Sequence, residues 1–388
     1  MLSRRDFLIG TAAGSVVSLG VPLPAFWQRV AAATETGPDL PALVVLELNG
    51  GNDGLNTVVP YADDVYHQSR PTLRIAPDKV LKLDDHVGFH PALRLLHRHW
   101  EDGQVRVVQN AGYPNPNRSH FRSMQIWHAG VLGVAPTAGW LGRAGDAHPA
   151  LGRCFVGDDA VPLAVQGRKE PAAVLANLAD YRQVLDAAIP PSTTMGRDSL
   201  LDQIDRRMGG AQDLASRLRM LQTKLPSATP GSLEERLLTI RALLEGIPSL
   251  RIFYTALRGF DTHVGQQFAH QDLLQTMASA LHSFLQELRR CRLDDRVVVM
   301  VFSEFGRRLR ENGQRGTDHG TAAPVLLVGK PVRGGLLGPP PDLKDLELGD
   351  PRFKVDFRDI YATVLRRWMR IDPETVLGHR DDSLPLIA

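Results

Sequence analysis

Four apolar segments of the sequence each lead directly into a loop of polar, ligand-type residues. The segments are residues 43–48, 105–108, 251–254 and 297–302, and each is rich in large apolar side chains. Short apolar runs that end at turn residues are typical of buried β-strands. Because the four strands end in the same way, they predict a sheet that carries its functional residues along one edge.

Helical patterns separate these strands. Residues 91–102 and 266–291 place apolar side chains near the 3.6-residue helical spacing. This alternation predicts an α/β fold with a mostly parallel central sheet and helices on both faces. In such sheets ligands bind beyond the carboxyl ends of the strands. The apolar residues of 172–248 fall at helical spacing, interrupted by loops at 190–194 and 226–232. They predict a helical insertion, in which Ser232 and Glu235 form a capping box.

The first 33 residues have the features of an export signal. Residues 3–8 read Ser-Arg-Arg-Asp-Phe-Leu, a weakly apolar stretch follows, and Ala31-Ala32-Ala33 closes the segment. The stretch is less apolar than the roughly 20 residues of a membrane-spanning helix. We therefore predict a removed twin-arginine signal at 1–33, passage through the twin-arginine translocase, and a single domain at 34–388 in the periplasm or outside the cell. An uncleaved anchor or a fortuitous arginine pair is the alternative.

Charge and cysteine content exclude several classes of partner. Residues 1–33 hold three arginines and one aspartate, so the formal charge of +2 falls to zero in the mature chain. A neutral chain lacks the basic footprint of nucleic-acid binding. The two cysteines, Cys154 and Cys291, either pair or stay buried, and their spacing fits no zinc–thiolate site. Any metal must therefore be held by oxygen and imidazole groups, and the mature chain has no predicted membrane span.

The first two polar loops offer candidate residues for catalysis and metal binding. Asp53 lies in the glycine-rich loop 49–54, where the backbone can approach a ligand and a carboxylate can reach a cation. Ser119 is expected at a helix N-terminus, a position that favours an anion, with Asn117 and His120 beside it. The structural alternatives are an ordinary turn at Asp53 and an ordinary helix cap at Ser119.

The next two loops add further carboxylates and an imidazole. Asp261 and His263 are two residues apart, so extended backbone places both side chains on one side. The alternative is a helix cap and a surface histidine. Glu304 closes the most apolar strand and must face a cation or an arginine such as Arg307 or Arg308, because an unpaired buried charge is costly.

A last loop supplies Asp318 and His319 just before a strand predicted at residues 324–329. The candidate ligands thus reach the site from five separate points of the chain. Their oxygens suit Mg, Mn or Ca, and their imidazoles suit Zn or Fe. The sequence therefore predicts a divalent metal ion, or two, and a small-molecule phosphate or sulfate ester as substrate.

Several motifs together resemble the exported family DUF1501. They cover nearly the whole mature chain in order, at residues 48–56, 117–121, 139–143, 260–263, 303–307 and 316–320. That family in turn resembles the alkaline phosphatase and sulfatase superfamily, whose members carry two metal positions and a serine, threonine or modified cysteine nucleophile. The resemblance implies an alkaline phosphatase-like fold. It also implies that Asp53, Asp261, His263 and His319 are metal ligands and that Ser119 is the nucleophile.

The sequence departs from the superfamily at Ser303-Glu304, where the superfamily usually has Asp-His. Glu304 alone leaves the second metal position short of a ligand, which allows one metal ion or none. Our first hypothesis is an ester hydrolase in which Ser119 attacks and Asn117, His120 and Asp318 orient the reacting groups. The metal ligands in this hypothesis are Asp53, Asp261, His263, Glu304 and His319, with Asp318 as a further candidate. The alternatives are a non-catalytic binding or assembly protein with a degenerate metal site, and a metal-independent serine esterase.

Overall fold

A nine-stranded sheet forms the centre of the computed structural model, which describes residues 40–133, 137–148, 150–169, 171–176, 220, 223, 225–381 and 383–388. In chain order the strands are β1 (Ala42–Asn49), β2 (Val105–Gly112), β3 (Gly152–Val156), β4 (Ala173–Leu175), β5 (Leu250–Arg258), β6 (Val297–Phe302), β7 (Ala323–Val328), β8 (Gly335–Leu337) and β9 (Val355–Asp356). The predicted signal at 1–33 and most of the predicted insertion lie outside the described residues.

All strands of this sheet except β7 run in one direction. Their order across the sheet is β8-β2-β7-β6-β1-β5-β3-β4, and β9 pairs with β2. Strand β7 is antiparallel to both of its neighbours, β2 and β6. The predicted mostly parallel sheet is therefore confirmed. Because β7 begins at the edge where β6 ends, the loop that precedes it joins the four polar loops at the same edge.

Helices cover both faces of the sheet, as predicted. They are α1 (Asp64–Ser69), α2 (Arg94–Glu101), α3 (His120–Ala129), α4 (Trp140–Ala147), α5 (Leu233–Gly246), α6 (Gln266–Arg290), α7 (Phe357–Thr363) and α8 (Pro373–Leu377). On one face, α2, α5 and α6 pack around Leu46 and Phe253. On the other, α3, α4, α7 and α8 pack around Val45 and Met300. Alternate residues of β1 thus enter two separate cores.

Short strands lie outside the main sheet. An antiparallel hairpin of Arg307–Glu311 and Thr317–His319 connects β6 to β7. Because a hairpin needs no crossover helix, β7 returns antiparallel beside β6. The remaining short strands are Val58–Val59, Leu81–Lys82, Gly88–Phe89, Leu346–Glu347 and Asp350–Pro351.

The two cysteines are both free thiols. Cys154 is buried in β3, and Cys291 is partly exposed at the end of α6. Burial raises the pKa of the Cys154 thiol well above its ordinary value, so it stays protonated as a small apolar side chain. None of the helices in the described ranges is both long enough and apolar enough to cross a bilayer.

The predicted capping box at the start of α5 gives a test of local stability. The Ser232 Oγ accepts a hydrogen bond of 3.1 Å from the Glu235 backbone N–H. We expect Ser232→Ala to lower the free energy of unfolding by about 1 kcal/mol, because an N-terminal amide loses its partner. Urea denaturation measures the change. Ser227→Ala, in the exposed loop before α5, serves as control, and an equal loss in both variants would contradict the capping role.

Candidate metal centre

Helix α3 places His120 at the carboxyl edge of the sheet. The loop after β2 is held by two hydrogen bonds, from the Asn117 backbone N–H to the Tyr113 hydroxyl at 3.1 Å and from the Ser119 N–H to Asn117 Oδ1 at 2.8 Å. Ser119 is the N-cap residue of α3, and its side chain makes no capping hydrogen bond. The serine hydroxyl is therefore exposed and free of helix capping, next to His120.

Three imidazoles converge on one oxygen of Asp261. The distances from Asp261 Oδ1 are 3.4 Å to His120 Nε2, 3.1 Å to His263 Nε2 and 3.2 Å to His319 Nε2. The ligand atoms of His120, Asp261 and His319 all lie within 4.8 Å of one another. We call these three residues the metal cluster. His263 lies beside it, with its Nε2 at 2.9 Å from His319 Nε2.

The backbone carbonyl of Arg118 fixes the tautomer of His319. His319 Nδ1 lies 2.8 Å from this carbonyl oxygen, which can only accept, so Nδ1 carries the proton. In the neutral ring, Nε2 then presents its lone pair to the cluster. Burial lowers the pKa of His319, an effect that the adjacent Asp261 carboxylate, which favours the protonated ring, only partly offsets. Metal-binding histidines are commonly oriented in this way.

Glu304 orients His120 instead of facing the centre of the cluster. Its Oε1 accepts hydrogen bonds from His120 Nδ1 at 2.8 Å and from the Gly50 N–H at 3.0 Å. The hydrogen bond to Glu304 raises the pKa of His120. The partner of Glu304 is thus an imidazole, and neither Arg307 nor Arg308, the arginines considered from the sequence, contacts its carboxylate. His120 Nε2 is left buried without a hydrogen-bond partner among the described residues.

Arg307 connects the loops of the site through hydrogen bonds. Its fully buried guanidinium donates to Asp261 Oδ1 at 2.7 Å and to backbone carbonyls of the three adjoining loops: Gly50, Gly51, Phe260 and Thr317. Burial opposes ionisation of Asp261, but the hydrogen bond and positive charge of Arg307 outweigh it and lower the pKa of Asp261 to about 2. Asp261 is therefore a carboxylate at neutral pH.

Glycines in the first loop allow close backbone packing. Gly50 has a φ of +118°, and a Cβ there would lie 2.4 Å from the Asp261 backbone nitrogen. A Cβ on Gly51 would overlap the Phe305 ring. In the structure these glycines therefore bring the first loop against its neighbours, whereas the sequence had suggested an approach to a ligand.

Asp53 and Asp318 lie outside the metal cluster. Asp53 is fully buried, and its Oδ2 pairs with Arg70 Nη1 at 2.6 Å and accepts from Gln266 at 2.5 Å. Asp318 is exposed and lies 3.5 Å from His263 Nδ1. The structure thus brings three of the proposed residues together, with His263 and Glu304 in contact with them. Arg70 is a partner that the sequence reading missed, because no motif surrounds it.

The donor atoms of the cluster fit a metal ion. Ligands about 2.1 Å from a tetrahedral zinc ion lie about 3.4 Å apart, and Asp261 Oδ1 lies 3.4 Å from His120 Nε2 and 3.2 Å from His319 Nε2. The unpartnered Nε2 of His120 is a second indication, since a buried polar atom normally has a partner. Imidazole with carboxylate is a donor set that suits zinc or another transition metal.

The fold and the cluster define a mixed α/β protein with a histidine–carboxylate group at the carboxyl edge of its sheet. The chain belongs to the family described as "Protein of unknown function (DUF1501)", which matches residues 41–386. This confirms the family that the motifs resemble. A comparison of the sequence with curated proteins gave no match.

Solved structures similar to this chain include a protein in the alkaline phosphatase superfamily from Vibrio parahaemolyticus, at 10% identity and a TM-score of 0.40, covering 93% of this chain and 78% of that one. The lipoteichoic acid synthase LtaP from Listeria monocytogenes has 10% identity and a TM-score of 0.40, with 97% and 82% covered. The C-terminal periplasmic domain of EcEptC from Escherichia coli, in complex with Zn, has 11% identity and a TM-score of 0.34, with 76% and 74% covered.

Proposed function

We propose that this protein is an exported, metal-dependent hydrolase of phosphate or sulfate esters. The observation that carries the proposal is the buried Nε2 of His120, which makes no hydrogen bond and lies within 4.8 Å of the ligand atoms of Asp261 and His319. These three residues would hold one metal ion, with His263 as a further donor. A bound metal ion supplies Lewis-acid stabilisation of the charge that develops on a transferring phosphoryl or sulfuryl group.

Ser119 is the proposed nucleophile. Its hydroxyl is exposed beside His120, and Asn117 holds its backbone through the hydrogen bond to the Ser119 N–H. The Ser119 Oγ forms a bond to phosphorus or sulfur while the ester oxygen leaves, and the hydroxyl proton passes to that oxygen. Water then cleaves the serine ester and releases phosphate or sulfate. Asp318, which lies 3.5 Å from His263 Nδ1, would orient that imidazole.

We expect Ser119→Ala to lower hydrolysis of p-nitrophenyl phosphate or sulfate about a hundredfold and to leave the metal content unchanged. The loss is partial because water can replace the hydroxyl as nucleophile. Steady-state kinetics with elemental analysis of the same samples measures both quantities. Ser227→Ala serves as control. Full activity of Ser119→Ala would rule out the serine, and activity that survives removal of all metal would favour a metal-independent esterase.

A non-catalytic binding or assembly protein is the second candidate, and the Asp53–Arg70 ion pair favours it. The motif resemblance assigns Asp53 to a metal position, yet a buried arginine neutralises its carboxylate. The sequence also has Ser303-Glu304 where the superfamily usually has Asp-His. With Asp53 paired to Arg70 and this second departure, we propose that the protein binds a single metal ion. Such a protein would lose thermal stability on chelation and hydrolyse neither ester.

We further propose that residues 1–33 direct the folded chain through the twin-arginine translocase into the periplasm or beyond. Residues 34–388 would then form the mature domain, which contains the metal cluster. The support is the Arg-Arg motif, the weakly apolar stretch and the alanine-rich end of this segment. Replacing Arg4 and Arg5 by lysines should retain the precursor in the cytoplasm, as cell fractionation would show.

A further inference from the structure

A second histidine of α3 pairs with a buried carboxylate outside the metal cluster. His128 Nε2 lies 2.9 Å from Glu47 Oε2 and 2.9 Å from the hydroxyl oxygen of Tyr254. Asn49 donates to the other Glu47 oxygen at 2.5 Å. Glu47 and Tyr254 are buried in the sheet, whereas the side chain of His128 is 11% exposed. The proposed ester chemistry uses none of these groups.

The Glu47 carboxylate fixes the tautomer of His128. An ionised carboxylate can only accept, so His128 Nε2 carries the proton that points at Glu47. Burial opposes ionisation of Glu47, but its hydrogen bonds with His128, Tyr254 and Asn49 outweigh burial and lower its pKa. Among the described residues, no group forms a hydrogen bond with His128 Nδ1. This nitrogen is also not fully buried, so it is accessible to solvent. In the neutral ring it therefore presents a hydrogen-bond acceptor to the surface.

His128 also lines an open groove, most of whose lining residues belong to α3. Ser119 lines one end of the groove and His128 the other, with Phe121, Met124 and Leu163 as the apolar lining. Phe121 is 92% exposed, an unusual state for an aromatic side chain. At a helical rise of about 1.5 Å per residue, the Cα atoms of Ser119 and His128 lie about 13 Å apart.

We propose that this groove is the leaving-group subsite of the hydrolase, and that His128 Nδ1 accepts a hydrogen bond from a hydroxyl at the distal end of an apolar leaving group. This inference rests on the proposed function, because it assumes that the ester reacts at the Ser119 end of the groove, next to the metal cluster. The ligand class is a phosphate or sulfate monoester of an elongated, mostly apolar alcohol with a second hydroxyl. Arg122 also lines the groove, and its positive charge disfavours an ammonium group there.

The test uses two linear alkyl phosphonates of equal length, one ending in a hydroxyl and the other in a methyl group. Phosphonates cannot be cleaved, so calorimetric titration of the metal-loaded protein reports binding without turnover. We expect the hydroxyl-terminated probe to bind about tenfold more tightly, the effect of one well-placed hydrogen bond. His128→Phe should abolish this preference, and Glu47→Gln should reduce it because the tautomer is no longer fixed.

Two variants at exposed positions serve as controls, because substitutions in the buried His128–Glu47 pair can disturb the fold. Phe121→Ser should weaken both probes by the same factor of about three to ten, since it removes apolar contact and leaves the acceptor in place. Val174→Ser, on the exposed edge strand β4, should leave both dissociation constants unchanged. Circular dichroism spectra of all variants should match that of the parent protein.

The outcomes separate this inference from the proposed function. Equal binding of the two probes, or binding of neither, would overturn the subsite even if esters are hydrolysed. A hydroxyl preference that disappears in His128→Phe would support the subsite even if no ester is turned over, and the reaction assignment alone would then fail. A preference that persists in a folded His128→Phe variant would assign the hydroxyl to another residue and overturn the role of His128.

Discussion

Asp261→Ala is expected to abolish metal binding and to lower ester hydrolysis on the order of 10⁴-fold. Asp261 Oδ1 is the oxygen around which His120, His263 and His319 converge. Without this carboxylate the site loses its anionic ligand, and the positive charge of the Arg307 guanidinium beside it is no longer balanced. A cation would therefore bind far more weakly, and both the metal and its charge stabilisation would be lost.

Elemental analysis of the dialysed variant and steady-state kinetics measure the two effects of Asp261→Ala. Asp272→Ala, on the exposed side of α6, is the matched control and should retain metal and activity. Asp261 is itself half exposed, so the variant should keep its circular dichroism spectrum. Full metal occupancy in Asp261→Ala would show that the cluster is not the metal site, and unchanged hydrolysis would place the chemistry elsewhere.

The strands were predictable because their apolar runs are bounded by turn residues. The run at 297–302 corresponds to β6 at Val297–Phe302, and the run at 43–48 lies within β1. The direction of β7 was harder to predict, since an apolar run is the same for parallel and antiparallel neighbours. The sequence feature that indicates its direction is the connection between β6 and β7. Residues 303–322 hold no helical pattern, and because a parallel return needs a crossover connection, usually a helix, β7 is expected to be antiparallel to β6.

The pairing of side chains within the site was less predictable than their proximity. Parallel strands bring their carboxyl ends to one edge, so Asp261 and Glu304 could be expected close together. His319 reaches the same edge because β7, which it precedes, runs antiparallel. A buried carboxylate requires a positive or hydrogen-bonding partner, but that requirement does not distinguish a metal ion from an arginine or an imidazole. Asp53 pairs with Arg70 and Glu304 with His120, and only the three-dimensional arrangement decides between these choices.

Arg70→Met is expected to lower the free energy of unfolding by about 3–5 kcal/mol, the usual cost of removing one partner of a buried ion pair. Arg70 and Asp53 are both fully buried, and Arg70 also donates to the backbone carbonyls of Leu309 and Arg308. The substitution leaves the Asp53 carboxylate without its cation and detaches the first loop from the 307–311 strand. Guanidinium denaturation measures the loss.

Two further variants test whether the buried charge is the cause. Arg380→Met breaks an exposed ion pair with Glu374 and should cost less than about 1 kcal/mol. The double variant Arg70→Met/Asp53→Leu should be more stable than Arg70→Met alone, because no charge is left buried. If the double variant were as unstable as the sum of its single changes, lost packing and backbone hydrogen bonds would account for the effect.

The pH dependence of the same variant gives an independent test with a defined sign. Burial opposes ionisation of Asp53, but Arg70 outweighs it and holds the pKa of Asp53 below its ordinary value. The parent protein therefore has the full stabilisation above the ordinary aspartate pKa of about 3.9 and loses it as the pH falls further. In Arg70→Met the strongest interaction that opposes burial is removed, so the pKa of Asp53 rises and protonation favours the folded variant as the pH falls. The difference in unfolding free energy between parent and variant should thus narrow from pH 7 towards pH 4, and a constant difference would contradict the ion-pair assignment.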